Sequence, residues 1–144
     1  MGVIPWSPLA GGWLSGQWRL GREGLTSRRA TRIPSRYDLS LPENQKKLEA
    51  ADALATLADD NKLSLVHLAL AFVLNHPAVT SAIIGPRTRE QFDTQIGAVD
   101  ATLTDELLDS IDEIVPPGTN FSWFDAGYEP PSIGSAQLRR RETR

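Results

Sequence analysis

The sequence contains no cysteine. Disulfides, thiolate zinc sites and cysteine nucleophiles are excluded together, a composition consistent with a reducing cytosol. No apolar run approaches the roughly 20 residues that a membrane helix requires. The first residues lack the basic-then-apolar order of a secretory signal. A cytoplasmic location without a membrane partner is therefore the expectation. Excess positive charge is missing too: the formal net charge is -3, so no global field draws the chain to nucleic acid or an anionic bilayer. Arg28, Arg29, Arg32 and Arg36, and then Arg139 to Arg141, form two basic clusters without interleaved aromatics. Solvated surface is the better reading of both, and no nucleic-acid partner is expected. Histidine is scarce as well. His67 falls inside a predicted helix, where a structural role outweighs catalysis, and His76 precedes a proline at a helix end and reads as a cap.

What is present is ordinary for one soluble domain. The 144 residues are 40% hydrophobic and 23% charged, enough to build a core. Gly2 to Trp6 is apolar and β-branched, is stopped by Ser7-Pro8, and predicts a buried strand. From Leu9 to Gly24 there are five glycines and two tryptophans. Such a loop must turn tightly or approach something closely. Residues 25–38 are polar and arginine-rich and predict a mobile loop. Pro42 suits a first helical position, and Leu48, Ala51, Leu54, Ala55 and Ala58 recur at helical spacing to about Asp59. Ser64 is a good cap for a second helix with Leu65, Ala69, Phe72 and Val73 inward, ended by Asn75-His76-Pro77. Val79 to Ile84 predicts a second strand. Thr88 caps a helix to about Val99, and Thr104 caps another with Leu107, Leu108, Ile111 and Val115 inward, stopped by Pro116-Pro117-Gly118.

Strand, long loop, two helices, strand, short loop, two helices is an α/β order, suggesting parallel βα units. Two parallel strands cannot cover themselves, so both predict neighbours from outside this chain. Two turns carry candidate chemistry. Gly85-Pro86-Arg87 feeds a helix N-terminus, where free backbone N–H groups and a guanidinium can hold phosphate; a plain turn with surface arginines fits the same residues. Trp6 ends its strand and offers a flat face to a planar ring, or else is a core tryptophan.

The stretches IPWSPLAGGWLSG, SRRA, LALAFVLNHPAVTSAIIGPRTREQ and LLDSIDEIVPPG, matching in order and spacing from residue 2 to about 118, resemble the C-terminal half of bacterial aldo/keto reductases. That resemblance implies the C-terminal part of a (β/α)8 TIM barrel, strands seven and eight with their helices, incomplete as a single chain. Residues 1–118 would form the partial barrel domain and 119–144 a C-terminal loop and arginine-rich tail. A barrel of this kind usually needs about 250 residues or more.

The family binds NADP(H) in extended form and reduces carbonyls by hydride transfer. By resemblance Trp6 would stack on the nicotinamide, and Ser7, Pro8, Leu9 and Gly12 would line the pyrophosphate, with Gln17 where relatives often carry lysine. Arg28 or Arg29 would fold over the cofactor. Gly85 and Arg87 would meet the adenosine phosphates, and Gln91 and Gln95 the adenosine end, many relatives having asparagine at the latter position. The family's general-acid tyrosine and its lysine, aspartate and histidine helpers come from the first four strands or the loops just after them, so no catalytic residue is assigned in this chain. Tyr37 and Tyr128 lack that context. The expectation is an oxidoreductase piece with cofactor-binding loops, weak NADP(H) affinity and no turnover alone; the alternative is a cofactor-binding or scaffold subunit derived from the same barrel. A truncated reading frame, a split-gene half that needs its partner and a repurposed protein are the origins considered. Exposed edges of the two strands predict self-association. Trp123, Phe124 and Tyr128 are candidates to reach a pocket or to dock on the surface.

Overall fold

Pro42 opens the longest of the described helices, fixing its own φ at the first helical position, where a missing N–H costs nothing. The computed structural model describes residues 2–121. Its helices are α1 (Arg28–Arg32), α2 (Pro42–Asp60), α3 (Leu65–Leu74), α4 (Arg89–Ile96) and α5 (Asp105–Ile114). Single 3₁₀ turns lie at Ala10–Gly12, Pro34–Arg36 and Gly97–Asp100. Four helices start on a hydroxyl cap. Ser27 accepts from the Ala30 N–H, Ser64 from His67, Thr88 from Gln91 and Thr104 from Leu107. Each such cap contributes about 1 kcal/mol by satisfying a free helical donor.

The main core is helical. Ala55 and Ala58 of α2, Leu65, Leu68 and Ala71 of α3, and Leu107, Leu108 and Ile111 of α5 form one buried cluster with Leu103. Small residues on α2 let the other two helices approach closely. α3 is the central element, touching α2, α4 and the Gly97–Asp100 turn. His67 joins that side: its Nε2 lies 2.8 Å from the Thr94 carbonyl oxygen, which fits the structural role expected of it. His76 accepts the Ala78 N–H at 3.1 Å through Nδ1 and so closes the turn after α3. The buried face of α3 differs from the expected stripe. Leu68, Leu70 and Ala71 are buried with Leu65 and Ala69, while Phe72 and Val73 are only half-buried. A helix reading LVHLALAFVL is apolar almost all round, so periodicity cannot select its inner face.

The expected barrel fragment is corrected by the structure. No β-strand forms among the described residues; Gly2–Trp6 and Val79–Ile84 meet only through two isolated parallel bridges, Val3 with Val79 and Trp6 with Ile83. Proline supplies the reason. Val3 donates to the Ala78 carbonyl at 2.7 Å and accepts from the Thr80 N–H at 2.9 Å, as a parallel ladder requires. The next donor in register would be Pro5, which has no N–H. Pairing then resumes one residue out of step, with Ile83 donating to the Pro5 carbonyl at 2.9 Å. Burial fails for the same segments: Val3, Ile4, Trp6 and Ile83 are all at least half exposed. They are not barrel strands seven and eight in this structure.

Residues 25–38 are also more ordered than a mobile loop. They hold α1 and the Pro34–Arg36 turn, and Tyr37 is buried in a second cluster with Trp13, Trp18 and Leu48. The predicted tail from Gln137 to Arg144, and Trp123, Phe124 and Tyr128, lie outside the described residues.

Candidate functional site

Ser7 begins the site because its backbone is forced into an uncommon region, φ 58, and Ala10 follows at φ 48. Two non-glycine residues there hold the chain in a tight coil after Trp6. The Ser7 hydroxyl accepts the Gly11 N–H at 3.2 Å, and the Ala10 N–H donates to the Ser7 carbonyl at 2.9 Å. Gly11 itself sits at φ 72, with the Tyr37 hydroxyl 3.1 Å and Arg29 Nη1 3.4 Å from where a Cβ would stand. Only glycine suits that position.

Tyr37 clamps this coil from the other side. Its hydroxyl donates to the Gly11 carbonyl at 2.8 Å, and its ring stacks on Trp13 and Trp18, each with centroids 5.4 Å away. Burial pushes the Tyr37 phenol above its ordinary 10.0, opposed by the charge and hydrogen bond of Arg29 and by the charge of Arg36. Below it, Asn44 of α2 is 1% exposed. Its amide donates to the Ser35 and Asp38 carbonyls at 3.0 and 2.9 Å, and its Oδ1 accepts from Lys47 at 3.2 Å. The glycine coil, the arginine segment and the start of α2 are thereby one hydrogen-bonded unit.

Between them lies a cavity of about 520 Å³, within the usual range for small-molecule sites. Trp6, Ser7, Gly11, Arg29, Arg36, Tyr37 and Lys47 line one part of it; Trp13, Leu14, Leu54, Val115 and Phe121 give an apolar part. Among the described residues, the charged side chains that line the cavity are Arg29, Arg36 and Lys47. Such a wall suits an anion, and Trp6, 79% exposed, has a face open to a planar ring.

Of the residues singled out from the sequence, Trp6, Ser7 and Arg29 meet in this cavity. Pro8, Leu9 and Gly12 form the coil beside it without lining it, while Gln17 and Arg28 are exposed elsewhere. Gly85 and Arg87 instead precede α4, Gln91 lies in its first turn and Gln95 near its last, and none of the four lines the cavity. There the Gln91 side chain accepts the Arg87 N–H at 2.9 Å, so one donor of that turn is already used. The two groups are related by direction: the Trp6–Ile83 bridge is parallel, so both loops leave the paired segments at the same end. Sequence reasoning missed Arg36, Tyr37 and Lys47. Arg36 was in view as part of a basic cluster; Lys47 follows Asn44 by one helical turn, but nothing local marks Asn44 as buried.

The chain belongs to the aldo/keto reductase family, whose pattern matches residues 1–116. It is 39% identical over 119 residues to a Bacillus subtilis protein named as the uncharacterized oxidoreductase YrpG, covering 82% of this chain and 33% of that one. It is 35% identical over 131 residues to a putative voltage-gated potassium channel subunit beta of Schizosaccharomyces pombe, covering 88% and 36%. The versiconal hemiacetal acetate reductase of Aspergillus parasiticus is 29% identical over 115 residues, 80% and 32% of the two chains. The chain thus spans about a third of the length of these relatives. Its oxidoreductase kinship is clear, and the family generally uses NADP(H). No helix among the described residues is long and apolar enough to cross a membrane.

Proposed function

We propose that this chain supplies NADP(H)-facing loops to an aldo/keto reductase-type oxidoreductase that interconverts carbonyls and alcohols. One observation carries the reading: Arg29 joins Trp6 and Ser7, far upstream in sequence, in one cavity whose charged lining among the described residues is cationic. NADP(H), when bound, supplies or accepts the hydride. The chain's own residues bind and orient. Trp6 offers its exposed indole to a planar ring. The coil from Ser7 through Pro8 and Leu9 to Gly12 shapes the backbone beside the phosphates, and Arg29 grips phosphate oxygens in a fork. Arg28 and Gln17 flank this group. Gly85, Arg87, Gln91 and Gln95 take the adenosine end, supported by the shared direction of the two loops.

Proton transfer to the substrate oxygen is assigned to residues outside this chain. Tyr37 is no substitute, because its hydroxyl is committed to the Gly11 carbonyl inside an aromatic cluster. The isolated chain is therefore expected to bind NADPH weakly and to turn nothing over, in a cytoplasmic setting and with the rest of a reductase, or a second copy, as partner. A panel of aldehydes with purified chain and NADPH tests this: no consumption above background is expected, and steady turnover would overturn it.

A second reading, a non-catalytic partner subunit, is favoured by the Schizosaccharomyces pombe and Arabidopsis thaliana relatives, both named as channel beta subunits. Binding of NADPH with no gain of turnover on adding the remainder of a reductase would select it.

A further inference from the structure

The Tyr37 hydroxyl lies between two groups that line the cavity. It donates to the Gly11 carbonyl at 2.8 Å and accepts a side-chain hydrogen bond from Arg29. The hydroxyl and Arg29 Nη1 stand 3.1 and 3.4 Å from where a Cβ on Gly11 would be, so the three residues meet at one point. Arg29 and Gly11 are both part of the cavity wall. The coil that receives this bond is closed on itself. The Ala10 N–H donates to the Ser7 carbonyl, the Gly11 N–H to the Ser7 hydroxyl and the Gly12 N–H to the Leu9 carbonyl. Ser7, Ala10, Gly11 and Gly12 all lie in the left-handed region, with φ of 58, 48, 72 and 106. Ser7 and Ala10 are sterically crowded there, and such residues persist only where their surroundings fix them. The Gly11–Gly12 peptide is the freest link, since neither flanking residue has a Cβ to oppose its rotation. Its carbonyl oxygen is the negative end of a dipole, so the direction of that oxygen decides what this wall presents to an anion. The phenol that holds it is itself fixed. Its ring stacks on Trp13 and Trp18, and Asn44 bonds the carbonyls of Ser35 and Asp38 on either side of it in sequence.

We propose that Tyr37 is a positioning residue for ligand binding, locking the Gly11–Gly12 peptide with its carbonyl on the phenol and holding one edge of the Arg29 guanidinium beside it. The lock rests on the cofactor reading for the identity of the ligand. Because the phenolic hydrogen is committed to Gly11, Tyr37 acts through Gly11 and Arg29 rather than as a donor to the ligand. Arg29 keeps further N–H groups for phosphate oxygens, since a guanidinium carries several donors.

The test compares wild type, Tyr37→Phe and Leu39→Ala in the full 144-residue chain. Tyr37→Phe keeps the stacked ring and removes the lock. Leu39→Ala loosens the same cluster, against which Leu39 packs, and leaves the phenol in place. Circular dichroism melts set a temperature at which all three are folded, and urea unfolding ranks their stability. NADPH is titrated through its own nicotinamide fluorescence, and amide exchange at Gly11 and Gly12 is followed without ligand. Tyr37→Phe is expected to weaken NADPH binding roughly fivefold, the loss of one hydrogen bond, and to speed exchange at both glycines. Leu39→Ala is expected to lower stability while leaving affinity and exchange near wild type. If affinity and protection instead follow global stability in both variants, Tyr37 is merely structural and the proposal is overturned. Equal NADPH affinity in wild type and Tyr37→Phe also overturns it, with the cofactor reading intact. A flat titration of wild type overturns the cofactor reading; faster exchange confined to Tyr37→Phe would then still support the lock, and unchanged exchange would overturn it.

Discussion

Tyr37 donates its phenolic hydrogen to the carbonyl oxygen of Gly11 at 2.8 Å, across a separation of 26 residues. This bond ties the arginine segment to the glycine coil and sets one wall of the cavity. Tyr37→Phe keeps the stacking on Trp13 and Trp18 but leaves the Gly11 carbonyl without that partner. A loss of about 1 kcal/mol is expected in urea unfolding, with faster amide exchange across Gly11 to Leu14.

The same tyrosine makes an alkaline prediction. Burial raises its pKa, with Arg29 and Arg36 opposing, so the folded state holds the neutral phenol more firmly than the unfolded chain does. The associated stability is fully present below the ordinary tyrosine value of 10.0 and is lost as pH rises through the higher folded value. Stability of the wild-type chain should therefore fall at alkaline pH more steeply than that of Tyr37→Phe. Parallel slopes for the two proteins would contradict the shift.

Asn44 gives the largest expected effect of a single side chain here. Asn44→Ala removes the two hydrogen bonds that this buried amide donates to the carbonyls of Ser35 and Asp38. About 1–3 kcal/mol of destabilisation follows if water cannot replace both bonds. Unfolding midpoints measure it, and a change below a few tenths would mean that the Pro34–Arg36 turn is held by other contacts.

The pairing of the N-terminal segment with residues 78–83 has its own test. A Cβ on Gly2 would collide with Oγ1 of Thr80. Gly2→Val should raise amide exchange at Val3 and Thr80, the two donors of the hydrogen bonds around the first bridge. Adding Thr80→Gly should restore protection in the double variant. Failure of that rescue would show that the collision is avoided by a shift of the chain end.

The helices were largely legible in the sequence because their signals are local. Ser64, Thr88 and Thr104 each cap a helix one residue later, and Pro42 opens one. Of the stripe predicted for α5, Leu107, Leu108 and Ile111 are buried, while Val115 lies just past the helix and is half-buried. The strands failed for a reason that was also visible. Pro5 sits inside the first apolar segment and removes the donor on which a continued parallel ladder depends. Reading Gly2–Trp6 by hydrophobicity alone overlooked it.

The site was half legible. Trp6, Ser7 and Arg29 were singled out and share the cavity, whereas Tyr37 and Lys47 were not. Tyr37 is surrounded by arginines and polar residues in sequence, and its burial depends on Trp13 and Trp18 far upstream. Lys47 depends on Asn44, a polar residue whose burial follows from two carbonyls in a preceding loop. Such tertiary hydrogen bonds leave no periodic trace.

The central claim is that the cavity at Trp6, Ser7 and Arg29 takes NADP(H). Its most direct test is a titration of the purified chain with NADPH, following quenching of tryptophan fluorescence in wild type, Trp6→Ala and Arg29→Gln. A saturable, micromolar or weaker response is expected in wild type, lost in Arg29→Gln and reduced in amplitude in Trp6→Ala. A flat titration, or binding that both substitutions leave untouched, would contradict the account.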